Sequence, residues 1–185
     1  MSLRDDALQV LRGWGPRDAT EDADAQRAMA VEYAGLVAAQ PLALSRECPD
    51  GHLTASTLVV DADHERALLT LHGKEGRWLQ LGGHCEPGDA TLVDAAAREA
   101  REESGIEGLR MLPGPVRLDR HWVRCRGGCW HHDVQYVAVA APGAVPVISA
   151  ESRDLGWFDL DALPGDASVQ RLALAAQAAL LDDRS

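Results

Sequence analysis

The chain has little positive charge for its length: 18 Lys and Arg stand against 29 Asp and Glu in 185 residues, a formal net charge of −11. A protein that tracks nucleic-acid phosphates needs a basic surface to release counterions, so that class is set aside. A small phosphorylated ligand is not excluded, because a divalent cation can supply the positive charge that an acidic site lacks. No apolar run is long enough to span a bilayer, and the first residues lack the basic start, apolar stretch and cleavage site of an export signal. There are four cysteines, Cys48, Cys85, Cys125 and Cys129. Free thiols in a reducing cytoplasm are the corresponding expectation. Gly82-Gly83 opens no G-x-G-x-x-G fingerprint, no Walker lysine is present, and no internal repeat or low-complexity tract is found.

What is there reads as one domain with an N-terminal extension. Leu3 to Arg12 has helical apolar spacing (Leu3, Ala7, Leu8, Val10, Leu11) and stops at Gly13 and Gly15-Pro16. A second helix is expected from Thr20, as N-cap, to Gln40, with Pro41 ending it. Its packing face is expected at Ala28, Val31, Ala34, Gly35 and Ala38. These two helices are too short to bury a core alone, so residues 1–50 form an extension and residues 51–185 the domain. The extension is a candidate for a homodimer contact or for a cover over the cleft.

From His52 the period changes. Strands are expected at His52 to Asp61, Ala67 to His72, Arg77 to Leu81, Val116 to Arg124, His132 to Ala140 and Gly156 to Asp159. A turn at Asp61 to Glu65 joins the first two, and Gly127-Gly128 joins the fourth and fifth. Ala90 to Ser104 is expected to be helical with Gly105 at its C-cap, and Ser168 to Leu181 forms a last Ala/Leu helix. This order of elements is that of an α/β or α+β fold.

The helix around Arg98 to Gly105 carries the chemistry. Glu99, Glu102 and Glu103 stand at i, i+3 and i+4, so their carboxylates can converge on one patch. Glutamates near a helix C-terminus oppose the macrodipole, where stability alone would favour lysine. Val93, Ala96, Ala97 and Ala100 supply a packing face, leaving the acidic side to a cleft. Arg98, four residues before Glu102, can hold that carboxylate in one rotamer. Hard cations suit such a patch: Mg2+ takes carboxylate oxygens, keeps waters and accepts phosphate oxygens. A solvated acidic helix face is the bland alternative, and the double glycine and loop before the helix weigh against it.

Gly83-His84-Cys85-Glu86-Pro87-Gly88-Asp89, followed by Arg98-Glu99-Ala100-Arg101-Glu102-Glu103-Ser104-Gly105-Ile106, resembles the Nudix box. The second half matches at every fixed position, with Ala100 at the aliphatic site. The first half departs twice: Asp89 stands for glutamate, and one extra residue, placed at Ala90-Thr91, separates it from Arg98. Gly51 to Val60, Trp78 to His84 and Trp157 to Pro164 resemble further Nudix segments. The resemblance implies an α/β/α sandwich around a mixed β-sheet. It implies a Mg2+ site, with Mn2+ as an alternative ion, lined by the Gly82 carbonyl, Glu99, Glu102 and Glu103. Glu151 resembles a further carboxylate that some members bring in to bind metal or activate water; an exposed loop glutamate is the competing reading. The implied activity is hydrolysis of the diphosphate linkage of a nucleoside diphosphate joined to another moiety. Arg98 would orient a carboxylate rather than touch substrate. A non-catalytic nucleotide-binding module is the alternative. Isoprenyl diphosphate isomerases of this fold place a cysteine before the Gly-His pair, where Gly82 stands here.

His121, Cys125, Cys129, His131 and His132 are crowded into twelve positions. They could hold zinc, make a turn at Gly127-Gly128 between two plain strands, or face a substrate cleft as phosphate or base donors. Cys85 beside His84 is not a nucleophile pair, because neighbours on an extended segment point to opposite sides; it reads as a small buried residue. Trp78, Trp122, Trp130 and Trp157 suit core packing or stacking on a base, and Lys74 and Arg77 suit a solvated turn or a phosphate contact.

Overall fold

Two strands rich in aliphatic residues organise the protein, β1 (His52–Val60) and β7 (Cys129–Val139). They pair in parallel along the whole of β1, His52 opposite His131 and Val60 opposite Val139. The computed structural model describes residues 1–16, 22–48, 51–124, 127–150 and 152–183.

The remaining strands are β2 (Arg66–His72), β3 (Trp78–Leu79), β4 (Leu81–His84), β5 (Arg110–Met111), β6 (Arg117–Val123) and β8 (Ser152–Asp159). One edge of β1 is shared: β4 pairs with its first half and β2 with its end, both antiparallel. β7 is shared in the same way by β6 and β5. β3 and β8 flank β2, giving a mixed eight-stranded sheet among the described residues.

Alternation along the central strands sorts the layers. Leu53 and Ala55, with Leu118, Val134 and Tyr136, face a layer made by α1 (Leu3–Gly13), α2 (Ala23–Ala39) and α3 (Leu92–Ser104). Leu58 and Val60, with Val137 and Val139, face α4 (Ala167–Asp183) through Leu172, Ala176 and Leu180. The expected α/β/α sandwich is what forms. The α4 face changes character halfway along β1, however. Upstream of the aliphatic half it carries His52, Thr54 and Ser56 beside His131, Asp133 and Gln135, and of these all but His131 are buried.

The N-terminal helices dock on the same core as α3. Ser2 caps α1 in a reciprocal box with Asp5, and Tyr33 reaches through α2 to donate to the Asp119 carbonyl at 2.6 Å. The packing face of α2 is not the one expected. Gln26, Ala30, Tyr33, Ala34 and Val37 are buried, whereas Ala28, Gly35 and Ala38 are exposed and Val31 is 74% exposed. The sheet offers Leu118's backbone to Gln26, which both donates to its carbonyl and accepts from its N–H. Those bonds and the Tyr33 anchor rotate the helix away from its small-residue stripe. Thr20, expected as the N-cap, lies outside the described residues; Asp22 precedes the helix and makes no capping bond.

Smaller differences have local causes. The expected strand at Arg77 to Leu81 becomes β3 and only the first residue of β4, which runs on through Gly82-Gly83 to His84; the two pair with different partners, β2 and β1. β8 begins at Ser152, earlier than expected, because β2 offers it a full edge. The two-residue β5 has no pattern of its own and exists through β7.

Candidate active site

The firmest sequence expectation, the glutamate helix, begins where its cap allows. Thr91 accepts from the Asp94 N–H at 3.1 Å, so α3 starts at Leu92, and Gly105 closes it in the left-handed region at φ 64°. The extra residue before Arg98 is thereby absorbed in the loop ahead of the helix. Leu92, Ala95, Ala96 and Ala100 form the buried face: of the expected Val93, Ala96, Ala97 and Ala100, the second and fourth are buried and the other two half-buried, so the packing face is rotated slightly from expectation.

That rotation grades the three glutamates. The Glu102 side chain is 52% exposed, Glu99 is half-buried, and Glu103 lies at the edge of the core, 7% exposed. Glu103 therefore does not stand open to a cleft as expected: its Oε2 accepts from the Gly82 N–H at 2.9 Å, tying α3 to β4. Gly83 is needed for close approach, since a Cβ there would fall 2.6 Å from the Glu99 carboxylate.

Arg98 binds the patch together. Its Nη1 donates to Glu99 Oε1 at 3.0 Å and Glu102 Oε2 at 3.1 Å. Nη2 donates to the His84 carbonyl at 2.8 Å, and Nε and Nη2 fork onto Asp89 at 3.1 and 3.2 Å. Asp89 also accepts from the Glu86 N–H at 2.7 Å, closing its own loop. The substituted box position is thus the anchor of Arg98. Burial works to lower this guanidinium, but the hydrogen bonds it donates to Asp89 and the Glu99 charge outweigh that and hold it above its ordinary value. Glu99 is pushed up by burial, with Glu102 and Glu86 adding to the effect against Arg98.

One guanidinium faces Asp89, Glu99 and Glu102, with Glu103 on the next turn. This oxygen-rich, charge-deficient donor set fits a hard divalent cation. Gly82 lies beside it through its N–H. Glu151 lies outside the described residues.

A second group of polar residues occupies the α4 face of the sheet. His52 of β1, His84 of β4 and His131 of β7 have ring centroids 4.8 to 5.1 Å apart. Burial, then the neighbouring imidazoles, lower His52 to about 4 and His131 to about 3. His121 packs edge-on to His131 and accepts or donates at 3.1 Å to Asp119, which holds it above its ordinary value against burial. Below them Asp133 accepts from Thr54 at 2.9 Å and Ser56 at 2.6 Å. Sequence reasoning named His131 but attached it to its chain neighbours. His132 in fact points the other way, edge-on to Tyr33 at 4.9 Å, and Cys125 lies outside the described residues.

Cys85 behaves as expected: it is buried in the core and burial, then Asp89, push its thiol up to about 12. Trp122 and Trp130 are not core residues. They pair edge-on across β6 and β7, 52% and 41% exposed, with Arg120 over Trp130. Arg77 meets Asp166 and Glu75.

The NUDIX domain family model matches residues 51–178. The chain belongs to the Nudix family. The NAD-capped RNA hydrolase NudC of Chromobacterium violaceum is 28% identical over 142 residues, 69% of this chain, and the chain spans 50% of that relative's length. Two solved structures share the fold. A Nudix-family hydrolase of Clostridium perfringens has a TM-score of 0.56 at 24% identity, covering 70% of this chain and 97% of that one. The Nudix domain of Shewanella oneidensis NrtR, complexed with ADP ribose, has a TM-score of 0.54 at 21% identity, covering 81% and 97%. No helix of the described residues is long and apolar enough to cross a membrane.

Proposed function

We propose that this Nudix protein is a metal-dependent hydrolase that cleaves the diphosphate linkage of a nucleoside diphosphate joined to another moiety. The observation that carries the reading is the Arg98-centred patch: several carboxylates on two turns of one helix, with a single cation shared among them. Glu99, Glu102 and Glu103, with the Gly82 carbonyl and Glu151, are the proposed ligands of Mg2+, or of Mn2+ in its place. A cation bound there neutralises diphosphate oxygens and acidifies a bound water.

The chain's own residues have separable tasks. Asp89 fixes Arg98, and Arg98 fixes the rotamers of Glu99 and Glu102, so it is a positioning residue. Glu103 sets the distance between α3 and the Gly82 strand. A glutamate of this patch would take the proton of the attacking water. Residues 1–50 are proposed as an extension that braces this domain through the core shared by α1, α2 and α3.

The relatives' names support a nucleotide-type substrate, since NAD-capped RNA and ADP ribose both contain a diphosphate joined to nucleoside or ribose groups. The test is a panel of nucleotide sugars, dinucleotides, CDP-alcohols and oxidised nucleotides, assayed with Mg2+ and Mn2+. Hydrolysis of at least one class that depends on the metal, and its loss in Glu103→Gln with the fold retained, is the expected outcome. Tight binding of a nucleotide with no turnover in any metal would instead favour a sensor or scaffold.

A further inference from the structure

The three histidines on the opposite face of the sheet are unexplained by diphosphate hydrolysis at the glutamate helix. They come from three strands, yet the pairing of β1 with β7 and with β4 sets His52 opposite His131 and two residues along β1 from Thr54, the partner of His84. Each offers a nitrogen, and these atoms all lie within 4.8 Å of one another. His52 is wholly buried, and among the described residues neither of its ring nitrogens has a hydrogen-bond partner. A buried imidazole normally places at least its N–H on an acceptor. The nearby carboxylate does not serve this need, because Asp133 is already engaged by Thr54, Ser56, Gln80 and Gln135.

We propose that His52, His84 and His131 form a second metal site, for a borderline divalent cation of the zinc class, separate from the glutamate site. Three imidazole donors select against Mg2+ and for Zn2+, Co2+ or Ni2+. Three protein nitrogens on a tetrahedral ion leave one position for water or another ligand. With Zn–N bonds of about 2.0–2.1 Å the nitrogens must approach to about 3.4 Å. His84 and His131 are only half-buried, and they are the two rings that would turn to reach that spacing. Behind them the Asp119–His121 pair packs edge-on against His131, with ring centroids 5.5 Å apart. The two sites meet back to back at one residue: the His84 ring joins the imidazole group while its carbonyl accepts from Arg98. The inference is independent of the glutamate reading, since it needs no turnover and different ligands.

The test uses the full chain, stripped with a chelator, re-equilibrated with Zn2+ in excess Mg2+, and measured by elemental analysis. Co2+ substitution adds the intense visible absorption of a four-coordinate nitrogen site. One equivalent of zinc is expected in the wild type and in a Glu99→Gln/Glu102→Gln double variant. Binding at least about tenfold weaker is expected in His131→Asn and in His84→Asn. The half-buried His84 provides the second variant should changes at His131 disturb folding. Substoichiometric zinc in the wild type would overturn the proposal. So would zinc retained in both histidine variants, zinc lost in the glutamate double variant, or zinc lost only on replacing Cys125 and Cys129.

Discussion

The two polar groups of this protein sit on opposite faces of one sheet and are built by opposite means. The acidic patch is local: its members lie within one loop and one helix, and Arg98 fastens them with five hydrogen bonds. The imidazole group is assembled by strand register alone, from residues that meet only when β1, β4 and β7 pair. The acidic patch is half open, with one guanidinium shared among its carboxylates. The imidazoles are more enclosed, and for His52 and His131 burial and the neighbouring rings favour the neutral form. The same sheet thus offers hard oxygen donors on one side and nitrogen donors on the other, which is how one small domain can keep two kinds of cation apart.

The largest effect that would sharpen this contrast is at Arg98. Arg98→Lys keeps the charge but loses the fork that spans Asp89, Glu99 and Glu102. A fall in kcat of about 10–100-fold is expected, with more Mg2+ needed for half-activation and KM for the substrate little changed. A rise in KM alone would make Arg98 a substrate contact instead.

Next is the stability of the acidic patch without metal. The folded-state carboxyl of Glu99 is raised above 4.5, so folding favours its neutral form. What Glu99 contributes to stability is greatest below its unfolded value and is lost as the pH rises through the folded one. Glu99→Gln is therefore expected to raise Tm at neutral pH by about 2–4 °C, the equivalent of about 1 kcal/mol for a domain of this size. The gap should close as the pH falls below 4.5. An unchanged or lowered Tm at neutral pH would show that Arg98 already compensates the charge.

The smallest effect concerns the imidazoles. His52 and His131 are depressed to about 4 and about 3 from 6.5, so the stability linked to their neutral forms is present above 6.5 and is lost as the pH falls through the folded values. In chelator-treated protein, Tm is expected to decline as the pH drops from 6.5 towards 4, with a shallower slope in His131→Asn. Equal slopes would mean that the acid sensitivity arises elsewhere.

The same contrast explains what the sequence disclosed. Helix α3, its Gly105 cap and the Arg98–Glu102 contact were legible because residues that interact at i to i+4 announce themselves by spacing. The strands of the sheet were legible from aliphatic and β-branched runs, apart from β4, which continues through Gly82-Gly83, and β5, which is too short to carry a pattern. Asp89, to which the sequence assigned no role, reaches Arg98 despite the inserted residue because the loop ahead of the Thr91 cap takes that residue up. The imidazole group was not legible: it depends on register between strands, and proximity in sequence drew His131 towards Cys129 and His132 instead. Alternation would have separated His131 from His132, but nothing in the sequence joins His52 to either. The face of α2 was misread for a related reason, since Gln26 and Tyr33 bury themselves against backbone groups of β6 that only the fold supplies.

The most direct test of the central claim is the Mg2+ dependence of hydrolysis, measured on the most reactive member of the nucleotide panel for the wild type and Glu102→Gln. Glu102 is half exposed, so its replacement leaves the core intact. The account predicts no turnover after chelation, saturable activation by Mg2+, and a loss of about 100-fold or more in Glu102→Gln, corresponding to about 3 kcal/mol of transition-state stabilisation. Metal-independent turnover, or a folded Glu102→Gln with wild-type activity, would contradict it.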